Sequence, residues 1–144
     1  KPRGPRVSGL VLGFDYGQKR VGVASGQTVT GTATPLATVP NPQLDGWAQI
    51  DAVLGEWRPA QIVVGLPLAA DGSDTTVSQA ARRFAAELGE RCGLPVALID
   101  ERLSSHEAEA RLLADGRRHN AVRRTRDAVA AAVIVETWLA EQPH

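Results

Sequence analysis

Two apolar, β-rich runs in this chain each end on acids: Leu10-Val11-Leu12-Gly13-Phe14-Asp15 and Val96-Ala97-Leu98-Ile99-Asp100-Glu101. Runs of this length and composition read as strands, and the second, almost wholly apolar until its end, reads as a strand buried on both sheet faces. A third run, Gln61-Ile62-Val63-Val64-Gly65-Leu66, has the same character. Three such strands separated by helical patterns exclude an all-helical chain and point to a sheet with helices on both faces.

The intervening segments complete the order. After Asp15, Tyr16-Gly17-Gln18-Lys19-Arg20 reads as a turn in which Gly17 is free to take a positive φ. Val21–Ser25 is a second strand and a third lies within Thr32–Val39, so that strands one to three form an antiparallel meander. Leu44, Trp47, Ile50, Val53, Leu54 and Trp57 fall at spacings of three and four, one amphipathic helix ended by Pro59. A second helix runs from about Thr75 to Arg91 and is stopped by Gly93 and Pro95. Ser104-Ser105-His106-Glu107 matches a capping box and starts a helix to about Ala114. Residues 115–124 are polar, and a last helix spans about Thr125 to Glu141. The order βββαβαβαα predicts an α/β fold built on a mixed five-stranded sheet. The 144 residues suit one domain, expected over 9–141 behind a flexible basic segment, 1–8.

Composition narrows the function classes. No apolar run approaches the roughly 18–20 residues of a membrane span and no signal-peptide pattern is present, so a cytoplasmic protein without a membrane partner is expected. The single cysteine, Cys92, fits a reducing compartment, and with three histidines at no ligand spacing it supplies no zinc site. A formal net charge of zero removes the simple electrostatic argument for nucleic acid. Locally, however, six arginines and one acid lie between Arg111 and Arg126.

Asp15 ends the first strand, Asp100 and Glu101 end the fifth, and Asp127 opens the last helix. In α/β sheets such ends converge on sites. Gathering carboxylates costs several kcal/mol in repulsion and desolvation unless a cation compensates. Oxygen-only donors suit Mg²⁺ or Mn²⁺, and two such ions about 4 Å apart can activate water and stabilise the leaving oxygen in phosphodiester hydrolysis.

Four blocks carry a resemblance. Gly13-Phe14-Asp15-Tyr16-Gly17-Gln18-Lys19-Arg20-Val21-Gly22-Val23-Ala24, then Val64-Gly65-Leu66-Pro67-Leu68 with Asp71-Gly72, then Asp100-Glu101-Arg102-Leu103-Ser104-Ser105, then Asp127-Ala128-Val129-Ala130-Ala131 resemble, in order, the motifs of the YqgF/RuvX family. The resemblance implies a ribonuclease H-like fold related to the RuvC Holliday-junction resolvases and a cytoplasmic nuclease acting in 5′ maturation of pre-16S ribosomal RNA. It carries the catalytic, metal-binding acids onto Asp15, Glu101 and Asp127. Glu101 is preferred to Asp100 because adjacent strand residues face opposite ways.

Lys19 and Arg20 are candidates for phosphate contact and equally readable as solvated turn residues. Arg102 is a candidate for a bidentate phosphate contact or a structural pair with Asp100. Arg123 and Arg124, in the basic stretch before Asp127, are candidates for nucleic-acid contact or a solvated loop. The tryptophans Trp47, Trp57 and Trp138 lie on helix stripes and read as core. Three other readings stay open: a DNA-junction resolvase, a non-catalytic RNA-binding assembly factor, and an actin-like ATP-binding domain, whose phosphate loop also follows a hairpin bearing Asp-x-Gly. The oligomeric state, monomer or dimer, is not legible.

Overall fold

A computed structural model describes residues 6–45, 47–104, 106–118 and 126–143. Strands β1 (Val7–Tyr16), β2 (Arg20–Gln27) and β3 (Thr32–Pro40) form the antiparallel meander. Helices α1 (Pro42–Asp45) and α2 (Ala48–Trp57) lead to β4 (Pro59–Leu66), which pairs parallel to β1. Helix α3 (Thr76–Cys92) then leads to β5 (Val96–Asp100), parallel to β4. A short 3-10 turn (Glu101–Leu103), α4 (His106–Arg118) and α5 (Arg126–Glu141) follow. The sheet order is β3-β2-β1-β4-β5, so β1 sits at the centre and β5 at an edge. Among the described residues no helix is long and apolar enough to cross a membrane.

Strand alternation divides the core in two. Leu12, Phe14, Val21, Val23, Ile62 and Val64 face one way and pack with Ile50 of α2 and Phe84 and Leu88 of α3. Val11, Ala24, Val63 and Ile99 face the other way, against Val129, Ala132, Ile134 and Val135 of α5 and Leu112 of α4. The mixed sheet with helices on both faces is therefore as expected. Trp47 and Trp57 pack half-buried on the first cluster and Trp138 on the second; Trp47 stacks on Phe84 with ring centres 5.3 Å apart.

The second face is built to let a helix come close. On β1, β2 and β4, the α5-facing positions include Gly13, Gly22, Gly26 and Gly65. A Cβ on Gly13 would meet Val135 at 2.2 Å and one on Gly65 would meet Ile134 at 2.3 Å. A Cβ on Gly22 would lie 1.9 Å from the Asp127 carbonyl oxygen, a backbone atom. Helix α5 thus rests directly on the strands, and its first turn is seated on β2.

Several sequence expectations are corrected. The single helix over 44–57 is broken: Trp47 takes a left-handed conformation (φ 77) before α2 begins, and Leu44 in α1 is exposed. Gly17 has no positive φ. Glycine is needed there for room, since a Cβ would lie 2.5 Å from the Arg20 carbonyl. Strand β5 is a half-covered edge strand with Leu98 exposed, because order β4-β5 leaves nothing beyond it. Strand β1 starts at Val7, whose N–H donates to the Arg58 carbonyl, so order begins inside the segment 1–8. Helix α4 runs on to Arg118, into the stretch read as a polar connection. The Ser104–Glu107 capping box includes Ser105, outside the described residues.

Candidate active site

The central strand delivers Asp15 on the α5-facing side, two positions beyond Gly13. Strand β5 ends at Asp100, and the chain turns at once into the 3-10 turn, which carries Glu101 back toward β1 beside Gly65. The Glu101 Oε2 atom lies 2.8 Å from where a Gly65 Cβ would be, so the strand must be bare at that point for the acid to fit. The facing argument that preferred Glu101 treated it as a strand residue, whereas Glu101 belongs to the 3-10 turn.

The Asp15 and Glu101 carboxyls face each other closely enough to hydrogen-bond through a shared proton. Such a bond requires a proton on one of the two. Burial, then the Glu101 charge and hydrogen bond, and then the Asp127 charge push the Asp15 carboxyl up to about 8. Burial also raises Glu101, against the hydrogen bond from Asp15. A proton held between the two carboxyls relieves their repulsion and belongs to the pair. The buried Oε2 of Glu101 has no hydrogen-bond partner, an orphaned acceptor of the kind that native interiors avoid.

The third acid stands nearby but is engaged elsewhere. Asp127, in the first turn of α5, is close enough for its charge to act on Asp15, yet its Oδ2 accepts from Arg20 Nε at 3.0 Å. Among the described residues no three His, Cys, Asp or Glu side chains are grouped closely enough to hold a metal ion.

Asp100 takes the opposite course to Glu101. Its carboxylate accepts from Arg102 Nε and Nη2, the latter at 2.6 Å, and from the Arg102 backbone N–H. The Arg102 contacts hold its pKa below the usual carboxylate range. Arg102 also donates to the Ala70 carbonyl and packs against Gly72. It is thus the structural pair of Asp100, a clamp between the 3-10 turn and the loop after β4.

Lys19 is exposed on the β1–β2 turn. That turn is fixed by buried Asn41, whose Nδ2 donates to the Gly17 carbonyl and whose N–H donates to the Lys19 carbonyl. Arg123 and Arg124 lie outside the described residues. Sequence reasoning missed Asn41, Gly22 and Gly65. The signal for the glycines was present: Gly13 and Gly22 flank Asp15 and Arg20 at the same-face interval of two. A groove of about 270 Å³ opens beside the pair, with Glu101, Arg102, Ser104, Glu109 and Ile134 in its walls.

The Asp15–Glu101 pair fits two ligand positions of a divalent cation. The donors are oxygens only, one of them is buried and unpartnered, and the pair retains a proton that a cation would displace.

Comparison with known proteins agrees in extent and fold. A family model described as "RuvX: Holliday junction resolvase" matches residues 9–141. A protein of Azotobacter vinelandii (strain DJ / ATCC BAA-1303) named "Putative pre-16S rRNA nuclease" is 47% identical over 141 residues, covering 97% of this chain and 97% of its own. One of the same name from Dechloromonas aromatica (strain RCB) is 45% identical over 137 residues, covering 94% and 93%. Among solved structures, "T. thermophilus RuvC in complex with Holliday junction substrate" superposes with a TM-score of 0.62 at 16% identity, covering 89% of this chain and 91% of that one. The shared fold is ribonuclease H-like.

Proposed function

This chain belongs to the RuvX family, and from that premise we propose that it is a divalent-metal-dependent endonuclease that hydrolyses phosphodiester bonds of structured nucleic acid, its task being 5′ processing of pre-16S rRNA in the bacterial cytoplasm. The observation that carries the chemistry is the Asp15–Glu101 carboxyl pair with its orphaned Oε2, set at the end of the central strand. The curated relatives' name supports the ribosomal substrate.

In this reading Asp15 and Glu101 hold Mg²⁺ or Mn²⁺ and Asp127 completes the acid set. A bound divalent ion supplies Lewis acidity, activation of water and stabilisation of the leaving oxygen. The protein's own contribution is placement. Gly65 makes room for Glu101, Arg102 fixes the 3-10 turn through Asp100, and Gly22 seats the start of α5, which carries Asp127, on β2. Asp15 must give up its proton before it can serve as a ligand, which ties competence to pH. The groove beside Glu101 gives the strand an approach, and Lys19 and Arg20 border the site with positive charge.

The test is incubation of the purified chain with precursor 16S rRNA and with a four-way DNA junction, each with Mn²⁺ and with chelator. Cleavage of the rRNA precursor only in Mn²⁺, abolished in Asp15→Asn, is expected. Metal-independent cleavage, or full activity of Asp15→Asn, would falsify the assignment. Preferential cutting of the junction would support the second reading, a resolvase, which the family model's description favours.

A further inference from the structure

Among the described residues, Arg20 and Asp127 form the one pair in which a basic side chain beside the site is bound to a proposed metal ligand. Arg102 is spent on Asp100 and Arg111 on Glu136, but the Arg20 guanidinium occupies the acid that the site needs. We propose that Arg20 is a positioning residue that a nucleic-acid phosphate displaces: in the free protein it holds Asp127 apart from the acid pair, and a bound strand takes the guanidinium and releases Asp127 to the metal. This inference rests on the metal-nuclease reading above.

Three observations support the exchange. The pair is weak: the Arg20 side chain is 66% exposed and that of Asp127 34%, and ion pairs so open to water contribute little. A backbone phosphodiester offers the same guanidinium two non-bridging oxygens for a two-pronged contact, so it can take the place of the carboxylate as acceptor. The backbones on both sides are fixed. Arg20 and Gly22 lie on the same side of β2, and Gly22 is in contact with the Asp127 carbonyl. Asn41 holds the turn from which Arg20 springs. Rotation of the Asp127 side chain is the motion assigned to the exchange. The Asp127 charge is felt at Asp15, which places the released acid on the side of the pair.

Coupling of this kind is reciprocal: nucleic acid tightens the metal and metal tightens nucleic acid by the same factor. The experiment measures Mn²⁺ affinity of the full chain by calorimetry and by electron paramagnetic resonance, with and without an uncleavable 2′-O-methyl RNA hairpin. The proteins are wild type, Arg20→Gln, Asp127→Asn, Asp15→Asn and, as a surface control on α3, Arg83→Gln. The hairpin is expected to tighten Mn²⁺ about 5-fold or more in wild type and Arg83→Gln. Arg20→Gln without hairpin should already bind Mn²⁺ more tightly than wild type and show a smaller hairpin effect. Asp127→Asn, which keeps Arg20 but has no acid to release, should lose the same part of the coupling. Equal hairpin effects in wild type, Arg20→Gln and Asp127→Asn would overturn the exchange while leaving the metal site intact. Weaker Mn²⁺ binding by free Arg20→Gln would also overturn it, showing that Arg20 merely orients Asp127. Failure of wild type to bind Mn²⁺, or equal binding by Asp15→Asn, would instead sink the metal reading on which the inference stands.

Discussion

A proton held between the half-buried Asp15 and Glu101 carboxyls has consequences measurable on single residues. Burial and the neighbouring carboxylates push the folded Asp15 carboxyl up to about 8, against 3.8 for an unperturbed aspartate. Below 3.8 both folded and unfolded chains are protonated at this group. Between 3.8 and about 8 only the folded chain holds the proton, so raising the pH favours unfolding; above about 8 the effect is complete. In chelator, stability should therefore fall with rising pH over that window, by at most about 1.4 kcal/mol per pH unit from this group. Asp15→Asn, which keeps a donor toward Glu101 and has nothing to titrate, should flatten the slope and still fold. Urea melts at pH 5, 6.5, 8 and 9 on both proteins check this, and an unchanged slope in the variant would contradict the assignment of the proton. The same substitution should lower cleavage by at least about 100-fold, read from single-turnover rates at saturating Mn²⁺. At this scale the sequence was informative for Asp15 and Glu101, because a strand end and a strand turn expose which residue faces inward. It was silent on the Arg20–Asp127 pair, whose partners are 107 positions apart and meet only because α5 lies across β2. It also left Arg102 open between two roles, a choice decided by the carboxylate two residues before it.

Elements were legible where periodicity was strong and less so where one residue changed the outcome. The strands and α3 stand close to their expected places, and Thr75 caps α3 through a reciprocal pair with Ser78. Removing that cap, in Thr75→Ala, should cost about 1 kcal/mol of stability and leave metal affinity untouched. The helix expected over 44–57 was a sound pattern with a break in it. Trp47 instead takes a left-handed backbone and stacks on Phe84, with the Arg91 guanidinium 4.4 Å above its ring. Tertiary packing of a large aromatic outweighed helical continuity. The seat of α5 makes a sharper prediction. Gly22→Ala drives a methyl into the Asp127 backbone, whereas Gly26→Ala meets the ends of Val135 and Leu139 side chains as well as the Thr32 carbonyl. The former should destabilise by about 3 kcal/mol and the latter by less, because side chains yield where a helix backbone cannot. Denaturation midpoints at constant m-value are the check; equal losses would show that α5 can shift to accommodate Gly22→Ala.

For the whole molecule, a neutral chain that handles a polyanion must rely on local charge and on the metal. Divalent ion should raise the unfolding free energy by about 2.7 kcal/mol at a hundred times its dissociation constant, with chelator reversing the gain. A thermal shift confined to Mg²⁺ and Mn²⁺ and absent in Asp15→Asn tests it. The overall architecture was readable because the order of strands and helices leaves few ways to build a sheet. The division of the sheet into a side-chain-rich face toward α2 and α3 and a bare face toward α5 was not read, although every glycine that makes it was in view. It depends on which strands become neighbours, and neighbour relations are a property of the folded chain.

That bare face sets the terms on which the protein ages with heat. Side-chain layers are compliant, since rotamers can shift by fractions of an ångström and still fill space. Glycine against helix backbone has no such give. The acid pair is carried by the sheet side and Asp127 by α5, and bare contact at Gly22 holds them in relation. If α5 lifts at all, the seat is lost rather than loosened. Thermal inactivation should accordingly follow the undocking of one helix, seen as deprotection of α5 amides in hydrogen exchange, while the five strands are still paired.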